Sequence, residues 1–168
     1  QHLPIHGGSL RIFARRDPAG DMEVGSAVSS MLAEEQALGM TDYAYYRDFG
    51  QRVTQLKNDL AALLKSFKDQ GKRLAVYGAS AKGATLLNYY GIGAETFDWV
   101  ADVSTVKQGK YTPGTHLPIV GPERLLSDQP DAVLLLSWNF RDEILTQQAE
   151  YVSRGGKFII PIPKLEVV

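Results

Sequence analysis

Six consecutive residues, Gly78-Ala79-Ser80-Ala81-Lys82-Gly83, bring two glycines, a hydroxyl and a cation into one short span. Small residues let a backbone come close to a bound group, and the free amides at a helix start attract anions. Ser80 adds a hydroxyl and Lys82 a positive charge, a combination that suits a phosphate or diphosphate. The spacing matches neither familiar phosphate loop. In the dinucleotide fingerprint G-x-G-x-x-G the middle glycine is here Ser80; in the P-loop G-x-x-x-x-G-K-[ST] the lysine must follow the second glycine, whereas Ala84 follows Gly83 and Lys82 precedes it. The same residues also describe a tight strand–helix joint with a solvated lysine, and the sequence alone admits both.

Further polar candidates lie downstream. Asp102 ends the apolar run WVAD about twenty residues past the turn, where a carboxylate can accept hydrogen bonds from a ribose or sugar diol or cap a loop. The segment KQGKYTPGTHLPI gathers Lys107, Lys110, Tyr111, Thr115 and His116, and polar loops over a rigid sheet are where recognition tends to sit. Asn139, just after VLLLSW, falls on the same rim if the strands are doubly wound.

The elements that must hold these residues follow from pattern. Apolar runs LAVY, VLLLS and FIIPI lack polar alternation and read as buried central strands. Strands are expected over 73–77, 97–101, 132–137 and 157–161. Helical segments are expected over 81–90, 122–126 and 141–154. That alternation predicts an α/β, Rossmann-like, doubly wound and mainly parallel sheet flanked by helices. Ahead of it, residues 9–15 read as a strand after Gly7-Gly8, and Asp17-Pro18-Ala19-Gly20-Asp21 as a linker. A helical pair follows, over 26–38 and 41–70, the first stopping at Gly39 and the second at Gly71. In the second helix Tyr46, Phe49, Val53, Leu56, Leu60, Leu63 and Phe67 step by 3 and 4, a narrow seam that can pack within its own domain, on a neighbouring domain or in a homodimer. The expected organisation is residues 1–20 as a strand and linker from a preceding domain, and 21–168 as one Rossmann-like domain.

Composition narrows the classes. The 168 residues hold 44% hydrophobic and 22% charged side chains with a net charge of −1, which gives no polyelectrolyte footprint for nucleic acid. No run of about 18 apolar residues and no basic-then-apolar leader occurs, so no membrane span or signal peptide is expected and the cytoplasm is the default location. With no cysteine there is no disulfide or thiolate chemistry. The start at Gln1, in the middle of an apparent β-region, reads as part of a longer protein.

With HGGSLRIFA, VYGASAKGATLLNYYGI, KQGKYTPGTHLPI and LLLSWNF in that order, the chain resembles the C-terminal domain of S-adenosylmethionine-dependent sugar C-methyltransferases, over nearly its whole length. The resemblance implies a larger enzyme with an N-terminal zinc-binding module, a central domain that holds S-adenosylmethionine, and this domain helping to hold a nucleotide-diphosphate keto sugar. Such enzymes deprotonate a carbon next to a ketone and methylate the enolate. For such a substrate the binding residues expected from the turn and the sheet rim are Gly78, Ser80, Lys82, Gly83, Asp102, Lys107, Tyr111, Thr115, His116 and Asn139. Zinc and methyl donor are expected outside this chain, which lacks cysteines and a turn suited to S-adenosylmethionine, so the chain alone is expected to be inactive.

His6 is a candidate general base, since a neutral imidazole near a ketone's α-carbon can take the proton, although a histidine before Gly-Gly can equally shape the turn or line a domain junction. Two other functions fit the residues: a stand-alone NAD(P)- or CoA-binding module, which Ser80 in place of glycine disfavours, and an interaction module built on the helical seam.

Overall fold

The computed structural model describes residues 1–5, 7–17, 20 and 23–168. Cα packing divides the chain into two units, Gln1–Thr54 and Gln55–Val168, with the division inside a long helix.

In the first unit a two-stranded antiparallel pair joins β1 (His2–Leu3) to β2 (Ser9–Leu10), with His2 opposite Leu10. Gly7 and Gly8 make the reversal at φ 80° and 113°, left-handed angles that favour glycine. The strand expected over 9–15 therefore pairs only over its first three residues, the last of them, Arg11, exchanging backbone hydrogen bonds with Gln1 at 2.9 Å. Beyond them Ile12 and Phe13 are 78% and 77% exposed. Helix α1 (Ser26–Ala37) buries none of its residues, and it ends at Gly39, whose φ of 71° and N–H to Gln36 O form the expected stop. The linker expected at 17–21 lies largely outside the described residues, as does His6.

Helix α2 (Tyr43–Asp69) runs 27 residues, and only its last turns meet a core. Leu60 and Leu64 are buried, with Leu56, Leu63 and Phe67 packed beside them, so in the second unit the seam packs within its own domain. At the other end Tyr46 and Phe49 are more than half exposed.

The second unit is built on a six-stranded sheet ordered β5-β4-β3-β6-β7-β8. These are β3 (Leu74–Tyr77), β4 (Val100–Ala101), β5 (Ile119–Val120), β6 (Ala132–Leu135), β7 (Lys157–Ile160) and β8 (Glu166–Val167). The first five are parallel and β8 is antiparallel to β7. Chain order reverses between β3 and β6, the doubly wound arrangement expected from the apolar runs. β3 and β6 are buried at every position because helices cover both faces. One face carries Val76, Leu87, Leu134 and Leu136 with the end of α2 and α3 (Ala81–Tyr90); the other carries Tyr77, Leu135, Ile144 and Phe158.

Several elements differ from expectation at their ends. The strand over 97–101 pairs only at Val100–Ala101, although Phe97 and Trp99 are buried. β5 and β8, two residues each, are too short to carry a periodic signal. The helical turn over 122–126 lies at α4 (Arg124–Asp128), and the helix over 141–154 divides into α5 (Arg141–Gln147) and α6 (Ala149–Ser153). Gln148, with ψ 21°, leaves the α region between them while still donating to Ile144 O. A 3₁₀ turn, Trp138–Phe140, leads into α5.

Candidate functional site

The carboxyl end of β3 delivers the chain into the glycine turn beside the order reversal, the position where open parallel sheets bind ligands. Gly78 is there for two reasons. Its φ is 98°, and a Cβ would meet Ser137, at 3.1 Å from both its N and Cβ and closer still to its Oγ. Gly83 answers a purely steric need: a Cβ would lie 2.7 Å from Leu136 Cβ across the β6 end. Ser80 is the N-cap of α3 and accepts from Gly83 N–H at 3.1 Å. The first amides of α3 have no carbonyl within the helix to receive them, which leaves a positive end facing the turn.

Asp102 fixes the turn from the neighbouring strand. Only 7% exposed, it accepts from Ala79 N–H at 2.7 Å, Ser104 N–H at 2.8 Å and Lys107 Nζ at 3.1 Å. Lys107 Nζ also donates to Ala79 O at 2.9 Å, so one ion pair holds both the N–H and the C=O of Ala79. With its oxygens so engaged, Asp102 caps loops and positions Lys107. This acidic position, at the end of the second parallel strand, would hold a ribose in a dinucleotide site.

Lys82 points to the β6–α5 loop: its ammonium donates to Asn139 Oδ1 and lies 4.3 Å from the Trp138 ring centroid. Burial lowers its pKa, the direction expected for an ammonium losing water. Lys82 and Asn139 thus meet each other, a pairing 57 residues apart that no sequence pattern announces.

Two cavities open beside the turn. The first, about 220 Å³, is walled by Ala84, Leu87, Ile119 and Leu136, with Lys107, Lys110 and Tyr111 at its edge. The second, about 420 Å³, is walled by Tyr77, Asp102, Ser104, Ser137 and Glu143. Gly78, Ser80 and Lys107 border both. Burial raises the Tyr77 pKa, with the Asp102 and Glu143 charges adding to it and a Gln148 hydrogen bond opposing it.

Of the residues expected from the sequence, Gly78, Ser80, Asp102, Lys107 and Tyr111 line one or both cavities. Lys82, Gly83, Thr115, His116 and Asn139 line neither. Thr115 pairs its hydroxyl with that of Thr112 at 2.7 Å, and Thr112 also accepts from Leu117 N–H, so the two shape the loop. His116 is exposed at φ 53°, inside the same tight turn. The sequence reading missed Ser104, Ser137 and Glu143. Ser104 and Ser137 stand just after β4 and β6, where strand-end loops converge at an order reversal, and Glu143 lies in the first turn of α5, the helix that follows β6.

Among the described residues no three of His, Asp and Glu cluster to hold a metal ion, and no helix is long and apolar enough to cross a membrane.

Comparison with known proteins matches residues 4–163 to the C-methyltransferase C-terminal domain. "C-methyltransferase NovU" of Streptomyces niveus is 39% identical over 164 residues, which cover 98% of this chain and 39% of that protein's length. The chain therefore spans well under half of that relative. A match over almost all of its length places the chain in the C-methyltransferase C-terminal domain family.

Proposed function

We propose that this chain is the substrate-binding domain of a longer, S-adenosylmethionine-dependent C-methyltransferase acting on a nucleotide-linked keto sugar. The observation that carries the reading is the glycine turn at the β3–β6 reversal, with a capped helix start on one side and Lys107 and Lys110 bordering the adjoining cavity. Helix amides and two ammonium groups answer a diphosphate without base-specific contacts. Residues 1–20 belong with the domain that precedes it in the parent chain, and the enzyme works in the cytoplasm.

The methyl donor is bound by that other domain, and the chain alone transfers no methyl group. Asp102, which would have to grip the donor's ribose here, is already engaged by Ala79, Ser104 and Lys107. The same engagement disfavours an NAD(P)-binding module, together with Ser80 at the middle glycine position.

Lys110→Ala in the full-length enzyme tests the reading. Lys110 is exposed and makes no side-chain hydrogen bond or ion pair among the described residues, so its loss removes a charge at the cavity without disturbing the core. The expected result is a KM for the nucleotide sugar raised by about fivefold or more, consistent with one charge-assisted contact, at unchanged kcat. Unchanged KM for Lys110→Ala, together with no calorimetric binding of thymidine or uridine diphosphate, would remove the substrate-domain assignment.

A further inference from the structure

Not one described residue between Gln1 and Thr54 is buried. A 60-residue domain that folds alone buries roughly 60% of the surface its unfolded chain exposes, so this first unit has no core of its own to hold it. Its parts are also too small to stand unaided. A helix of 12 residues such as α1 is marginal in water unless an apolar face packs against something, and so is a two-stranded ribbon such as β1–β2.

The uncovered apolar side chains are gathered rather than scattered. Leu10, Ile12 and Phe13, on and just beyond β2, line one groove of about 440 Å³ with Val28, Met31 and Leu32 of α1. Val28 and Leu32, neighbours one helical turn apart, are 50% and 60% exposed. Arg11 and Glu35 also border the groove. An apolar centre edged by charges of both signs is the layout of a protein–protein interface, whereas a membrane-binding face carries an excess of Lys and Arg. Contiguous apolar surface of this kind marks a contact site, since monomeric proteins rarely leave it uncovered.

We propose that this groove is the docking face for the methyl-donor-binding part of the parent enzyme, so that α1, and not residues 1–20 alone, belongs to that interface. The proposal rests on the longer-enzyme reading and moves the functional boundary from residue 20 to a point past α1. Length and connectivity choose this occupant over a second copy of the chain. The chain matches a C-terminal domain and spans 39% of its relative's length, so the larger part of such an enzyme precedes it. A body joined to the same polypeptide acts at an effective concentration of about millimolar for a short linker, far above that of a separate molecule, and takes the face first.

Hydrogen–deuterium exchange of the full-length enzyme, read by mass spectrometry over α1, tests the docking. The α1 amides are expected to exchange at least about tenfold more slowly than those of an unstructured chain, the least that covering one leucine yields. Leu32→Glu keeps the helix propensity of the site and is expected to speed α1 exchange by about tenfold while β3 and β6 keep their protection. Val28→Glu serves where that variant expresses poorly. Ala33→Glu, an exposed position of α1 outside the groove, adds the same charge and is expected to change nothing. Unprotected α1 in the wild type, equal effects of Leu32→Glu and Ala33→Glu, or acceleration spread equally over β3 and β6 would overturn the docking. So would protection that fades on dilution together with a dimer in sedimentation, which gives the groove to a second copy. The Lys110→Ala kinetics keep the two readings apart. Unprotected α1 with a raised KM removes the docking alone, whereas protected α1 with an unchanged KM and no diphosphate binding leaves the docking and removes the substrate-domain assignment.

Discussion

Replacing Gly83 with alanine sets two effects of opposite sign against each other. Gly83 is the third residue of α3 and has no left-handed φ, so alanine gains about 1 kcal/mol of helix propensity there. Against this, the new methyl would lie 2.7 Å from Leu136 Cβ and 2.8 Å from its Cδ1. Leu136 is 1% exposed, and its Cβ is fixed directly to the backbone where β6 ends, so no rotamer change clears the contact. Overpacking of a core costs about 1–3 kcal/mol, and an immovable neighbour places this case in the upper half of that range. Sterics win: Gly83→Ala is expected to destabilise the chain by about 1–2 kcal/mol, a fall in Tm of roughly 2–8 °C. Thermal and urea unfolding followed by circular dichroism measure it. In a double-mutant cycle, Leu136→Ala should cost at least about 0.5 kcal/mol less in the Gly83→Ala background than alone, because it removes the Cδ1 half of the clash. A Tm that is unchanged or raised in Gly83→Ala, or strictly additive variants, would refute the close approach of α3 to β6.

Two stability predictions follow from buried or bridging polar groups. The Asp131 carboxylate accepts from Arg73 N–H and from Lys72 Nζ, both at 2.9 Å, and these bonds hold its pKa below the ordinary 3.8. A depressed folded pKa contributes stability that is present above the unfolded value and is lost as pH falls through the folded one. The stability gap between wild type and Asp131→Asn should therefore be constant near neutrality and close below about pH 4, and a gap that persists at pH 2 would contradict the pairing. Tyr151, fully buried, donates its hydroxyl to Pro130 O at 2.8 Å, and burial pushes its pKa far above the usual tyrosine value. Tyr151→Phe leaves that carbonyl unpaired and should cost about 1–3 kcal/mol in urea unfolding, whereas a neutral result would mean that water reaches Pro130 O.

The sequence by itself determined the central strands and the turn. LAVY, VLLLS and FIIPI have no polar alternation, which only strands covered on both faces tolerate, and the helices between them forced parallel connections. Gly78, Ser80 and Gly83 were legible because a strand-to-helix turn demands particular residue types at particular places. Tertiary structure alone decided what the charged side chains do. Lys82 looked like the cation of the cradle, yet Trp138 and Asn139 hold it, while Lys107, from a loop 25 residues later, clamps the turn through Asp102. Ser104, Ser137 and Glu143 became neighbours only through the order reversal that brings the ends of β4 and β6 beside β3. Local pattern fixes backbone conformation because φ/ψ and burial act residue by residue. A long side chain's partner depends on which distant loops converge at a sheet edge, and no spacing along the chain encodes that.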